Sequence, residues 1–312
     1  MFEIVQKRRL YFLISALVIV PGLIAMIYST LTIGSPVRLS IDFRGGSLFV
    51  VQFEGTAGEE QIRKVYNDFG IEDPVIQQLG SETGSRWQIR ATELTPDEQV
   101  ALREALEAEI APIDMAASTF DVVAPSIGAE VTQAAIWAVV AAALVVLAFI
   151  WLAFRKVPHP VRYGASAILA MIHDVLVVMG VMSFLGLFFA WEVDALFVTA
   201  MLTVVGYSVQ DSIVVFDRIR ENLPKYRQED YETVVNRSVL ETIHRSLATQ
   251  LNAIFIMVAI LLFGGPTIKQ FIAILLIGLL TGTYSSIFTA VPLLVAWEKG
   301  ELPFTRKQQQ AA

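Results

Sequence analysis

"VVGYSVQDSIVVFDRIREN", Val204 to Asn222, decides how this chain must be read. It is an apolar run that ends in charges and carries one carboxylate, Asp211, inside it. At the centre of a bilayer helix a carboxylate costs ~2.5–3.5 kcal/mol on insertion scales, so it faces protein or a water-filled cavity. If the run crosses a membrane, the fold must build a bundle around Asp211, and the function must explain why it is there.

Composition supports the membrane. The chain has 312 residues, 55% of them hydrophobic and only 17% charged, where a soluble domain carries about a quarter charged. Mean hydropathy is +0.59. A helix needs roughly 20 apolar residues to span a bilayer, and six stretches qualify, near residues 11–33, 131–154, 161–189, 193–216, 246–263 and 268–297. The expected fold class is an α-helical polytopic membrane protein with six transmembrane helices. Its first apolar stretch follows Lys7-Arg8-Arg9, exceeds a signal-peptide h-region and lacks a clean small-x-small cleavage site, so it reads as an anchor.

Basic residues orient the chain. With the N-terminus in the cytoplasm, 15 of 23 Lys and Arg fall on that side, and seven of the others lie in one long outer segment that the positive-inside rule discounts. Both termini are therefore expected in the cytoplasm. The organisation expected is residues 1–34 as N-terminus and first helix, 35–130 as an extracytoplasmic domain, 131–297 as helices two to six with a cytoplasmic loop at 217–245, and 298–312 as a tail. From Gly34 to Glu130 there are 17 Asp and Glu against 7 Lys and Arg, a net charge of −10. Such acidity excludes nucleic acid and anionic lipid as partners of this segment. The chain has no cysteine, so the outer domain must hold together without disulfides.

The outer segment can be read element by element. "SLFVVQFEG" is rich in β-branched and aromatic residues, as a strand should be. "TAGEEQIRKVYNDFG" reads as a helix capped at Thr56 and closed at Gly70. "DPVIQQLG" and "SRWQIRA" read as strands joined by a turn through Glu82-Thr83-Gly84. "TPDEQVALREALEAEI" has Thr95 at the cap and Pro96 at the first helical position, and "STFDVVAPSIG" supplies a last strand. The order β-α-β-β-α-β predicts a ferredoxin-like α+β domain, an antiparallel sheet with two helices on one face. The motif "IDFRGG" opens it, and its paired glycines after Arg44, Gly45 and Gly46, suit a tight backbone position or a close contact.

In the membrane half, His173 and Asp174 lie 11 and 12 residues from Arg162, roughly 17 Å along a helix and near mid-bilayer. Asp211 lies six residues before Asp217, about 9 Å inside the cytoplasmic end. Thr199, Thr203, Gly206, Tyr207, Gln210, Asp211 and Asp217 follow helical spacing, with Ser208 beside them, and form one polar stripe. The stripe is expected to face the bundle and carry water or protons, with the valines towards lipid. "ETIHRSLATQLNAIF" adds Arg245, Gln250 and other polar groups on the next, antiparallel span, which makes Arg245 the expected ion-pair partner of Asp211. "GLLTGTYSSIFTA" presents Gly278 and Gly282 as a G-x-x-x-G packing face with hydroxyls around it. The segment after Pro224 reads as an amphipathic helix on the membrane surface.

Together "IDFRGG", "HDV", "VVGYSVQDSIVVFDRIREN", "RSLATQLNAI" and "GTYSSIFTA" resemble SecF, the family of the smaller membrane subunit of the SecDF protein-translocation complex, within the resistance-nodulation-division superfamily. The resemblance covers nearly the whole chain, although "FRGG" also occurs in SecD. It implies a heterodimer with SecD, work beside the SecYEG channel with YajC and YidC as further partners, and a translocating preprotein as cargo. Use of the proton-motive force in an inner membrane is implied too, with no cofactor, metal or catalytic chemistry. By motif, the resemblance assigns proton transport to Asp211 and Arg245, and to Asp174 with His173.

Two other classes compete. An intramembrane aspartyl protease would also need two membrane carboxylates, but they must be close enough to share a proton, and Asp174 and Asp211 are expected at different depths without glycine flanks. A purely structural subunit would use the same charges only as buried hydrogen-bonding groups.

Overall fold

A computed structural model describes residues 3–71, 74–79, 85–155, 157 and 159–302, and the expected turn at 82–84 lies outside them. The chain divides into two compact units, one of Leu39–Ile136 and one of Met1–Arg38 with Trp137–Ala312.

The smaller unit opens with a single helical turn, α2 (Ile41–Arg44), which Ser40 caps by accepting a hydrogen bond from the Asp42 N–H. Then follow β1 (Gly46–Gln52), α3 (Glu59–Asp68), β2 (Val75–Gln78), β3 (Arg86–Ala91), α4 (Pro96–Glu109) and β4 (Thr119–Val123). The sheet order is β2-β3-β1-β4, antiparallel throughout, the arrangement expected from the sequence. Alternation along β1 sends Phe49 and Val51 to one face, where they pack with Ile62 and Tyr66 of α3 and Leu102 and Leu106 of α4. The α4 start is as expected: Thr95 caps it, and the Glu98 carboxylate returns a 2.8 Å bond to the Thr95 N–H. The Thr95 hydroxyl donates to the same carboxylate at 2.8 Å, and these two donors hold the exposed Glu98 carboxyl below the usual glutamate range. The α3 start differs. Gly58 stands at the cap in place of Thr56, and its N–H donates to Gln61 Oε1 at 3.0 Å. Gln61 three residues on and the acidic first turn Glu59-Glu60 suit that start.

Gly45 and Gly46 both have positive φ, +77° and +121°. A Cβ at Gly45 would lie 2.7 Å from the Pro125 backbone, and one at Gly46 2.7 Å from the Ala91 carbonyl oxygen. The paired glycines are thus required twice over, by dihedral and by space.

Among the described residues six helical spans are long and apolar enough to cross a membrane, all in the larger unit except the start of the second, which belongs to the smaller. They are α1 (Arg8–Ile33, after a 3-10 turn at Val5–Lys7), α5 (Pro125–Phe154), α6 (Pro160–Phe189), α7 (Ala195–Asn222), α8 (Tyr231–Phe263) and the pair α9 (Pro266–Ser285) and α10 (Val291–Glu298). A π turn, Ser286–Ala290, joins α9 to α10. Half of the apolar window is buried in α6, in α7 and in the last span, against 6% in α5, 11% in α1 and 17% in α8. The first three form the centre, and the others line it while leaving broad apolar faces uncovered by this chain.

Glycines set the closest approaches. Gly22 of α1 and Gly180 of α6 cross backbone to backbone, since a Cβ on Gly22 would lie 2.9 Å from Gly180 Cα. A Cβ on Gly278 of α9 would overlap the Val204 side chain, and one on Gly282 would meet Ser208 Cα at 3.3 Å. The G-x-x-x-G face therefore packs inside this chain, against α7. Phe154, Tyr163 and Phe216 stack and edge together at 5.3–6.1 Å between centroids, near the cytoplasmic ends expected for their helices.

The expected surface helix after Pro224 is absent. Tyr231–Phe263 is one continuous helix, with Val235 and Val239 in the buried core. Asp230 caps it, and no proline or glycine interrupts it, so the amphipathic half continues straight into the apolar half.

Candidate functional site

Each buried aspartate has its own set of partners. Asp174, 1% exposed, sits in the middle of α6. Its Oδ2 accepts from Ser208 Oγ of α7 at 2.5 Å and Ser285 Oγ of α9 at 2.6 Å. Its Oδ1 lies 3.1 Å from His173 Nδ1. On the far side of the imidazole, Nε2 is 3.0 Å from Ser15 Oγ of α1, and Ser15 is 3.4 Å from Thr289 Oγ1 in the π turn. The His173 ring stacks on Tyr284, whose hydroxyl donates to the Tyr11 carbonyl at 2.8 Å. Asp174 thus ties α6 to α7 and the last span through its three hydrogen bonds, and His173 extends the network to α1, so the buried carboxylate is satisfied.

Asp211 is 4% exposed and has one side-chain partner among the described residues, Gln250 Nε2 of α8, which donates to Oδ2 at 2.5 Å. The expected ion pair with Arg245 is not formed. Arg245 is exposed and pairs with no carboxylate among the described residues. Five residues of helix separate it from Gln250, about 140° around the axis. When α8 turns Gln250 inward, Arg245 must point out.

The polar stripe of α7 is likewise turned about. Thr199, Gly206 and Gln210 are exposed and Thr203 and Tyr207 partly so, while Val204, Val205, Ser208, Val209, Asp211, Ser212 and Val215 are buried. The reason is the close crossing by α9: only small or β-branched side chains fit beside Gly278 and Gly282. The valines therefore face the bundle, not lipid, and the stripe faces away from this chain. Thr203 Oγ1 returns its proton to the Thr199 carbonyl at 2.8 Å. Ser208 leaves the stripe for the Asp174 site.

His173 and Asp174 are brought together with Ser208, and Asp211 is placed one helical turn from Ser208, but no hydrogen bond links the two carboxylates among the described residues. They do not form the shared-proton dyad a protease of this kind needs. Arg44 is exposed on the smaller unit, beside Gly45 and Gly46. Sequence reasoning gave Gln250 no role and missed Ser15 altogether. The available signal for Ser15 was a lone hydroxyl within "FLISALVIV", and for Gln250 an amide four residues beyond Ser246 on the same helix face.

Known proteins resemble this chain in sequence and fold. The profile described as "Protein export membrane protein SecD/SecF, C-terminal" matches residues 103–300, and the SecD/SecF GG motif matches 30–57, which contains Gly45 and Gly46. The chain is 45% identical to the protein translocase subunit SecF of Anaerolinea thermophila over 96% of both chains. It is 41% identical to that of Thermobaculum terrenum, over 100% of this chain and 99% of the relative. Among solved structures it resembles SecDF of Thermus thermophilus, with a TM-score of 0.77 and 30% identity over 96% of this chain. It spans 39% of that SecDF chain's length. By these matches over its whole length, the six membrane-span helices and the small antiparallel domain, the chain belongs to the SecF family of protein translocase subunits.

Proposed function

We propose that this chain pairs with SecD in the inner membrane and uses the proton-motive force to promote preprotein export through SecYEG, with Asp211 as the carboxylate that takes up and releases the proton. The observation that carries the reading is Asp211 itself: buried, at membrane depth, held by a neutral amide and next to the outward-facing polar stripe of α7. A carboxylate with no cation to fix its charge is suited to change protonation state. Gln210, exposed at the same depth, needs polar partners that lipid does not offer, so this face is the seat for the SecD helices and the proton's way in. Both termini lie in the cytoplasm, and the unit of Leu39–Ile136 meets the preprotein outside.

A carboxylate only accepts, whereas a carboxylic acid also donates. On protonation the Gln250 amide must turn and offer Oε1, a discrete change at the α7–α8 contact that biases how the helices pack. One charge crossing the field supplies ~2.3 kcal/mol per 100 mV, enough for such a shift. Arg245, outside this contact, meets the partner helices and is drawn towards Asp211 in one state of the cycle. Asp174, by contrast, keeps its three donors throughout and holds the bundle.

The test is Asp211→Asn in the complex with SecD. Assembly should be kept and proton-motive-force-dependent export lost. Full export by that variant would remove Asp211 from the mechanism and leave the structural-subunit reading.

A further inference from the structure

α7 and α8 run antiparallel in a fixed register. Asp211 meets Gln250, Arg218 Nε donates to Glu241 at 2.5 Å, and Asn222 Nδ2 donates to Glu241 at 2.9 Å and Ser238 Oγ at 3.0 Å. Paired positions sum to about 460, so Ser246 lies opposite residue 214 or so and Thr242 opposite 218. Between Asp211 and Asn222, roughly 16 Å along the helix, α7 offers this seam only Val215, Phe216 and Ile219 as buried side chains besides Ser212. α8 offers hydroxyls instead: Ser238, Thr242 and Ser246, then the Gln250 amide, all buried and four residues apart. Neighbours at that spacing are ~5–6 Å apart on one face.

One of these hydroxyls has nothing to bond. Ser238 donates to the Val234 carbonyl and Thr242 to that of Ser238, but Ser246 Oγ, in a residue 3% exposed, has no hydrogen-bond partner among the described residues. A buried orphan hydroxyl costs about 1–3 kcal/mol, and an alanine there would cost nothing of the kind. An unpartnered hydroxyl midway between the proton carrier and the cytoplasmic Asn222–Glu241–Arg218 cluster is placed to take a transient partner.

We propose that the α7–α8 seam is the cytoplasmic exit for the proton, with Ser246 as the relay between Asp211 and Glu241. This rests on Asp211 being the proton carrier. The carboxylic O–H of Asp211 breaks as its proton passes to a water in the seam. Ser246 Oγ accepts a proton on a lone pair and gives up its own to the next water. The proton then reaches the Glu241 carboxylate and leaves for bulk water. Charge and protons balance with water as the sole co-reactant. Gln250, turning as Asp211 loses its proton, closes the route behind it.

The experiment measures proton influx with a pH-sensitive dye in proteoliposomes holding the full chain and its SecD partner. Ser246→Val and Ser246→Thr have nearly the same volume and differ in the hydroxyl. Influx should fall about tenfold or more in the valine variant and stay within about twofold of wild type in the threonine variant. Equal influx in the two, at the wild-type level, overturns the relay. Should both be equally impaired, Ser246→Ala decides, because it removes the hydroxyl without adding bulk: wild-type influx overturns the relay, and a tenfold fall sustains it. Asp211→Asn, run alongside, must abolish influx. If it does not, the proposed function fails; if it does while Ser246→Val conducts, the exit route alone fails.

Discussion

Asp174 and Asp211 are both buried aspartates on adjoining central helices, yet the protein surrounds them in opposite ways. Asp174 accepts from two serines on two other helices and faces the imidazole of its own helix, which in turn reaches Ser15 of α1. Asp211 accepts from one amide on one neighbouring helix. Low dielectric strengthens a fully satisfied network and penalises a sparse one. The first site is built for permanence and the second for change, although both residues look alike in sequence.

The widest separation between them should appear in stability. Asp174→Ala strands the Ser208 hydroxyl and an imidazole N–H, each costing about 1–3 kcal/mol, while Ser285 keeps its bond to the Gly282 carbonyl, so it should destabilise the chain by about 2–6 kcal/mol. Asp211→Asn keeps an amide-to-amide bond to Gln250 and should change stability by under about 1 kcal/mol. Thermal unfolding in detergent measures both, and equal losses would erase the distinction drawn here.

Next in size is Gly278→Ala. Its methyl would overlap Val204, and overpacking of this kind costs about 1–3 kcal/mol. Because α9 carries Ser285 to Asp174, the lesion should be felt more at the Asp174 site. The companion variant Gly206→Ala, with open space around it, should instead stabilise slightly, by about 0.5–1 kcal/mol of helix propensity. A third probe is a double-mutant cycle on Gln250→Leu and Asp211→Leu. A hydrogen bond to a charged group contributes about 1.5–3 kcal/mol, and a coupling in that range would sharpen the Asp211–Gln250 assignment. A coupling near zero, with a large one between Asp211 and Arg245, would restore the ion pair expected from sequence.

The smallest effects come from exposed groups. Arg245→Ala should alter the stability of the isolated chain by under about 0.5 kcal/mol, so a loss of export in that variant would place its role in the complex. Glu98 is a solvent-facing reference carboxylate. Its folded pKa is depressed, so its cap stabilises above the unfolded glutamate value and is lost as pH falls through the folded one. Melting profiles of wild type and Glu98→Gln should therefore differ at neutral pH and converge as pH drops below about 4. Parallel profiles down to acid pH would show that the cap contributes nothing.

Hydropathy and turn chemistry made the broad layout legible. Six spans follow from apolar length, and the α4 start from "TPDE", because these signals are local and the lipid-facing or capping group is written in adjacent residues. The ferredoxin-like strand order also follows, since short connections leave few topologies. His173, Asp174 and Asp211 announced themselves as charges in apolar runs. Their partners did not. Ser15 and Ser285 lie 158 and 111 residues from their contacts, and no periodicity connects such distances.

What the amino-acid order determined alone was that this chain lives in a membrane with costly carboxylates in two of its helices. Which way each helix is rotated was decided only by tertiary packing. The glycine face of α9 drew the valines of α7 inward and turned its polar stripe out, and α8 followed with Gln250 inside and Arg245 outside. Helical spacing tells which residues share a face, but van der Waals fit against the neighbour chooses the face that is buried.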